Sequence, residues 1–272
     1  MAEAHMFCRV VVSGDRVEIY QYSNGIRCGH ERNFEIVRRD KTVVDHDDEL
    51  VKRTDNLYRA RQTVRRLVWA NNTKQYTKFV TLTYANAEFD MKRVKHDVKM
   101  FVKHLRRAGY EMNYLYVLEH QKKRGEKEGN EGSLHIHMLI FNDKKMPLSL
   151  LNKAWPHGST DISALKNVDN IGAYVSKYIT KESCAEFGSH VYGVSRGLKR
   201  AAEECFYTEG YSDTVYNGLH PQDVIKAVNV EYHSQMRHDF RDDKGVGHAQ
   251  IVNYYQGTWK DGNIIEVNRD VE

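Results

Sequence analysis

The chain has 272 residues, of which 40% are hydrophobic and 29% are charged, and it contains only three prolines. This composition predicts a folded protein with a substantial core and excludes collagen-like, coiled-coil and low-complexity architectures. No apolar run approaches the roughly 20 residues that cross a bilayer, and the first residues lack a signal peptide's apolar stretch, so we expect a cytoplasmic protein without a membrane partner. The cysteines show no paired spacing, which argues against a disulfide framework.

The formal net charge of +4 is unevenly distributed along the chain. Residues 51–110 hold 15 lysines and arginines against four acidic residues, whereas residues 211–272 hold six basic and ten acidic residues. A basic block of this size favours a polyanionic partner, although a solvated basic helix face is the ordinary alternative.

The predicted elements begin with a hairpin, because strand-like alternation over 9–12 and 17–22 is interrupted by a short loop containing Gly14. A basic amphipathic helix is expected over 48–70, where apolar residues recur at helical spacing. From Gly188 onward the signals are weaker, apart from a second expected hairpin near 251–267.

The middle of the chain carries the clearest pattern. The predicted elements there are a strand over 77–84, a helix over 91–108, strands over 114–119 and 134–141, a short helix up to Trp155, a strand over 160–165 and a helix over about 169–182. This β-α-β-β-α-β-α order predicts an α+β fold of ferredoxin-like type, with an antiparallel sheet backed by helices. We expect three regions: 1–76 packed on the core, a core over 77–185, and an extension over 186–272.

A histidine pair lies in the strand Leu134–Phe141. Because side chains alternate across a strand, His135 and His137 point to the same face. Two such imidazoles bind a divalent ion when a carboxylate completes the ligand set. Glu119 ends the preceding strand and is placed to do so, and His120 is the alternative donor.

A tyrosine and lysine stripe lies in the last predicted helix of this region. Tyr174, Lys177, Tyr178 and Lys181 have the spacing i, i+3, i+4 and i+7 and therefore share one helix face. A phenolate is a nucleophile when cations or a metal offset the high pKa of tyrosine, and lysines can also neutralise a phosphate. The combination predicts attack of a tyrosine on a phosphodiester at a metal site, whereas an amphipathic surface helix is the simpler alternative.

The ordered segments FVTLTY (79–84), LHIHMLIF (134–141) and YVSKYITK (174–181) resemble the HUH-superfamily rolling-circle replication initiators of plasmids and single-stranded DNA phages, of the two-tyrosine type. The resemblance covers about residues 77–182. It implies an HUH endonuclease core of RRM-like fold that nicks and joins single-stranded origin DNA through a 5′-phosphotyrosine intermediate.

By that resemblance His135, His137 and Glu119 are ligands of Mn²⁺ or Mg²⁺, while Glu126, Glu128 and Glu131 in the following loop compete for the carboxylate position. Tyr174 and Tyr178 match the two nucleophiles, with a slight preference for Tyr178, and Lys177 and Lys181 assist them. The partner is single-stranded or hairpin origin DNA. The sequence has no GxxxxGK[ST] motif, so unwinding is expected to require a host helicase.

The basic block gains a role from the same resemblance, as a surface that contacts the phosphates of the DNA. The predicted contacts are Arg59, Arg61, Arg65, Arg66, Lys92 and Lys95, with Trp155 stacking on an unpaired base. Two alternatives stay open, which are a non-catalytic module that binds single-stranded nucleic acid and an HUH transposase or relaxase.

Overall fold

The computed structural model describes residues 5–27, 46–72, 77–120, 133–142, 144–165, 170–180, 191–208, 221–241 and 247–261. The contacts divide the chain into two compact units, one made of residues 1–40 and 200–272 and the other of residues 41–199. None of the described helices has the length and apolar character that a membrane span requires.

The first unit is built on a five-stranded sheet. Its elements are β1 (His5–Ser13), β2 (Arg16–Arg27), β8 (Ala202–Thr208), α5 (Pro221–Lys226), β9 (Val228–Arg241) and β10 (Gly247–Trp259), and the strands have the order β8-β1-β2-β10-β9. β1 and β2 form the expected hairpin, in which Gly14 adopts a φ of 66° that a residue with a side chain rarely adopts. One face of this sheet packs Val10, Ile19 and other apolar residues against Val224 of α5.

The second unit is built on an antiparallel sheet with helices around it. Its elements are α1 (His46–Asn71), β3 (Lys78–Tyr84), α2 (Met91–Arg107), β4 (Asn113–His120), β5 (Leu134–Phe141), α3 (Leu148–Ala154), β6 (Gly158–Ala164), α4 (Ile171–Ser176) and β7 (Tyr192–Val194). The strand order is β6-β3-β5-β4-β7, and the four strands β6, β3, β5 and β4 follow the ferredoxin-like arrangement. The predicted α+β fold with an antiparallel sheet backed by helices is therefore confirmed.

Helices cover both faces of this sheet. All residues of the central strand β5 are buried except His135, which is half-buried, and this explains its nearly continuous apolar sequence. On one face α2 and α3 pack through Phe101 and Trp155, whose rings meet edge to face with centroids 6.1 Å apart. On the other face α4 lies over β3 and β5, and α1 packs on α4.

The last predicted helix of the core is shorter than expected. The helix predicted over 169–182 ends at Ser176, and residues 181–190 lie outside the described part of the chain. After Ser176 the amides of Tyr178 and Ile179 donate to the carbonyls of Val175 and Ser176, at 3.2 and 3.1 Å. These i to i−3 bonds form a tighter turn, so Tyr178 follows the helix rather than lying within it.

Candidate functional site

The β4–β5 hairpin places an imidazole and a carboxylate in direct contact. Glu119 lies opposite His135 in the antiparallel register, and Val117 lies opposite His137. The Glu119 side chain reaches diagonally, so that its Oε2 lies 2.7 Å from Nε2 of His137. His137 is buried, whereas Glu119 keeps about a quarter of its side chain exposed. The pair therefore sits at the border between the core and solvent.

A threonine of the neighbouring strand contacts the other nitrogen of the same ring. Thr81 of β3 lies opposite His137, and its Oγ1 lies 3.2 Å from Nδ1. Contacts at both nitrogens fix the plane of the imidazole ring. If Nε2 carries the proton and donates to Glu119, then Nδ1 accepts a hydrogen bond from Thr81.

The two tyrosines lie next to the histidine site. The ring of Tyr178 stacks on His137 with centroids 3.8 Å apart and an interplanar angle of 25°. Phe79 of β3 contacts Tyr174 and Tyr178, with centroids 5.4 and 5.8 Å away. The hydroxyl of Tyr178 donates to the hydroxyl of Tyr174 over 3.3 Å. The structure therefore brings together Glu119, His137 and both tyrosines.

Lys177 lies above this tyrosine pair. Its Nζ is 3.8 Å from the ring centroid of Tyr174 and 4.8 Å from that of Tyr178. The ammonium group contacts the π faces of both rings and is exposed to solvent. It can therefore meet an incoming phosphate. Lys181, predicted to share this role, lies outside the described residues, as do Glu126, Glu128 and Glu131.

Helix α1 fixes the segment that carries the tyrosines. The Asn170 side chain caps α4 by accepting from the amide of Ala173, and it also accepts from Nε1 of Trp69 in α1. The guanidinium of Arg61 donates to the carbonyl of Ile179 over 2.8 Å, after the helix has ended. Both ends of the tyrosine segment are thus tied to α1.

Burial raises the pKa of Tyr178 above its usual value, and the hydrogen bond to Tyr174 and the negative charges of Tyr174 and Glu119 raise this pKa further. In this arrangement the phenol of Tyr178 holds its proton at neutral pH. Attack by its oxygen therefore requires additional positive charge or a proton acceptor.

The metal predicted for this site was tested against the donor geometry. Within the described residues no three His, Cys, Asp or Glu side chains converge as a ligand group. His137 and Glu119 instead bond to each other, and the ring centroid of His135 lies 6.4 Å from that of His137. The donor chemistry nevertheless fits, because two imidazoles and a carboxylate project from one face of one hairpin.

The predicted DNA-contacting residues are divided between the two faces of the sheet. Arg59, Arg61, Arg65 and Arg66 lie on α1, on the same side as the tyrosines, and Arg65 stacks on Trp69 with 5.3 Å to the ring. Lys92 and Lys95 begin α2 on the opposite side. They therefore do not form one continuous patch with the arginines of α1.

Trp155 packs as a core residue. It is 1% exposed, and its Nε1 donates to the carbonyl of Thr83. Its ring also meets Tyr84 edge to face, with centroids 5.1 Å apart. In this conformation Trp155 offers no face on which an unpaired base could stack, contrary to the role expected from the sequence.

Two residues of the site were missed from the sequence. Phe79 and Thr81 occupy alternate positions of β3 and so face the same side as His137. Their alternation is visible in the sequence, but the register that places Thr81 opposite His137 is not. The signal that could have found them is the FVTLTY segment itself, which was used only to define a strand.

The fold and this site define a ferredoxin-like α+β unit whose central hairpin carries a histidine and carboxylate pair beside two tyrosines. Residues 77–183 match the model of a family described as replication-associated protein, of the ORF2 type. The matched segment contains both histidines, Glu119 and both tyrosines, and it spans less than half of the chain. No curated protein and no solved structure matches the chain significantly.

Proposed function

We propose that this protein initiates DNA replication by nicking and rejoining single-stranded DNA through a covalent bond to tyrosine. The observation that carries the proposal is the contact between His137 and Tyr178, because it places a metal-ligating residue type against a nucleophilic one. The match of residues 77–183 to a replication-associated family supports DNA as the substrate.

His137, Glu119 and His135 would hold a divalent cation, Mn²⁺ or Mg²⁺, after small side-chain rotations. Nε2 of His137 and Oε2 of Glu119 already face each other. Ligation at Nε2 requires the ring proton to be at Nδ1, where it can be donated to Oγ1 of Thr81. When bound, the cation supplies positive charge to a non-bridging oxygen of the scissile phosphate.

Tyr178 is the proposed nucleophile for the first cleavage. Its oxygen forms a bond to phosphorus, the bond from phosphorus to the 3′ oxygen breaks, and that oxygen takes up a proton to become a free 3′ hydroxyl. The 5′ phosphate of the downstream fragment then remains on the tyrosine. The reverse reaction needs no ATP, because one phosphodiester replaces another.

Tyr174 and Lys177 have separate tasks in this proposal. The hydroxyl of Tyr174 accepts the hydrogen bond from Tyr178 and orients it. After the first bond has formed, Tyr174 is available to attack a second phosphodiester. The exposed ammonium of Lys177 lies over both rings and offsets the charge of the approaching phosphate. Lys181 is proposed to assist in the same way.

The test uses a pool of single-stranded oligonucleotides of random sequence with Mn²⁺ or Mg²⁺. With the label at the 3′ end, the proposal predicts a labelled protein band on a denaturing gel. With the label at the 5′ end, it predicts a shortened oligonucleotide that a polymerase can extend. DNA binding without adduct formation across the pool would instead favour a binding module without chemistry.

A further inference from the structure

A basic groove lies on the face of the second unit's sheet opposite to the tyrosines. It has a volume of about 920 Å³ and runs between α2 and the segment that follows β7. Tyr114 of β4 lines it, whereas Glu119 lies five positions further along the same strand and so projects from the other face. The groove is therefore separate from the candidate active site.

The lining carries five cations, which are Lys99, Lys103, Arg106, Arg107 and Arg196. Among the described residues no carboxylate lines the groove, and none of these five side chains forms an ion pair. Five unneutralised cations in one concave surface repel one another, and an anionic ligand relieves this repulsion. The charge is thus available to a ligand.

The four cations of α2 form one stripe. Lys99, Lys103, Arg106 and Arg107 have the spacing i, i+4, i+7 and i+8, which places them on neighbouring rows of the helix surface. At 1.5 Å per residue the stripe is about 12 Å long. One strand of a DNA duplex presents a phosphate about every 3.4 Å along the axis, so the stripe matches three to four phosphates.

The opposite wall is held in place by hydrogen bonds. The Asn113 amide donates to the carbonyl of Gly197 over 3.1 Å and accepts from the Ser195 hydroxyl over 3.0 Å. A Cβ at Gly197 would lie 2.5 Å from Oδ1 of Asn113, so only glycine allows this approach. These contacts bracket Arg196 and hold its backbone in place before a ligand arrives.

We infer that this groove binds the sugar–phosphate backbone of duplex DNA, as a second site on the face opposite to the tyrosines. The inference rests on the proposed function only in taking DNA as the ligand. Phosphate contacts give affinity without reading the sequence, so the groove would hold the duplex that flanks a single-stranded substrate.

The test measures binding of a short, mixed-sequence DNA duplex as a function of salt concentration. The variant Lys103→Gln/Arg107→Gln removes two exposed cations of the groove, and Lys145→Gln/Lys153→Gln removes two exposed lysines outside it. We expect the groove variant to bind roughly tenfold more weakly at low salt, with a slope of log K against log salt that is less negative by about 1.8. The control variant should behave as the native protein.

Arg196→Gln provides a second measurement, because it lies on the other wall and should change the slope by about 0.9. Equal effects of the groove and control variants would overturn the inference. So would competition by polyglutamate as strong as that by duplex DNA, because this would show an unspecific polyanion surface.

The outcome is distinguishable from failure of the proposed function. A duplex offers no single strand for cleavage, so its binding tests the groove alone. Adduct formation on single strands with no groove effect on duplex binding would reject the groove only. A groove effect without any adduct would reject the nicking reaction only.

Discussion

The imidazole ring of His137 lies stacked on the phenol ring of Tyr178, with centroids 3.8 Å apart. His137 belongs to the central strand of the sheet, whereas Tyr178 follows a short helix that is tied to α1. Because the two residues come from different elements, their contact depends on how α4 is seated on the sheet. This seating is therefore as important for the proposed reaction as the residues themselves.

Removal of the tyrosine hydroxyls tests the proposed nucleophiles. We expect Tyr178→Phe to abolish the first covalent adduct and Tyr174→Phe to leave one adduct but prevent a second cleavage, because the two hydroxyls act in turn. The measurement is adduct formation on 3′-labelled single strands. Tyr58→Phe is the control, since Tyr58 is an exposed residue of α1. Full activity of the double variant Tyr174→Phe/Tyr178→Phe would contradict the mechanism.

Thr81 is expected to act as a positioning residue for metal binding. Thr81→Val removes the hydroxyl that lies 3.2 Å from Nδ1 of His137 and should weaken Mn²⁺ binding by roughly 10- to 100-fold. Thr81→Ser should restore most of the affinity because it keeps the hydroxyl. Isothermal titration with Mn²⁺ gives the constants, and Thr83→Val on the same strand and face serves as the control. Equal affinities of Thr81→Val and native protein would exclude this role.

Tyr84 should make the protein less stable in alkali. Burial raises its pKa, and the charge of Asp97 and the hydrogen bond from the Tyr84 hydroxyl to Asp97, at 3.0 Å, raise this pKa further. The stabilisation is complete below the unfolded pKa of about 10. Above that pH the unfolded chain loses the proton first, so the free energy of unfolding should fall by up to about 1.4 kcal/mol per pH unit.

Urea denaturation at several pH values measures this dependence. In Tyr84→Phe the decline above pH ~10 should be smaller, although the variant loses about 1 kcal/mol at neutral pH with its hydrogen bond. The exposed Tyr58 provides the control, and Tyr58→Phe should keep the native slope. An unchanged slope in Tyr84→Phe would show that another group causes the alkaline loss.

Gly172 allows α4 to approach α1 closely. A Cβ at this position would lie 3.0 Å from the Arg65 carbonyl oxygen and 3.0 Å from Nε1 of Trp69. We expect Gly172→Ala to destabilise the protein by about 1 to 3 kcal/mol, because packed backbone has to shift. Ala173→Ser, at the next and exposed position of α4, should cost within about 0.5 kcal/mol.

The opposite sign would be informative. Alanine in place of glycine stabilises an unconstrained helix by about 0.5 to 1 kcal/mol. A gain in the thermal midpoint of Gly172→Ala would therefore show that α4 stands further from α1 than the structure has it. In that case the contact of Tyr178 with His137 would also need revision.

The core elements were predictable because their signals are local. The strand Leu134–Phe141 has the predicted bounds, and α2 differs by one residue at its end. Alternation and amphipathic spacing are enough for such elements. The hairpin also brings Glu119 opposite His135, as its sequence order indicates.

The remaining features depend on distant contacts. The helix of the tyrosines ends early, at Ser176, and the Ile179 carbonyl beyond it bonds to Arg61 more than one hundred residues earlier in the chain. Helical spacing cannot reveal such a partner. The burial of Trp155 against Phe101 likewise follows from tertiary packing.

The pairing of β2 with β10 has a consequence for synthesis of the protein. Glu18 pairs with Gln256, so a ribosome must add more than two hundred residues before the first hairpin meets this neighbour. At 5 to 20 residues per second this takes roughly 10 to 50 s. The continuous segment 41–199 can complete its own contacts earlier, so nascent chains are expected to expose one edge of an unfinished sheet beside a formed tyrosine site.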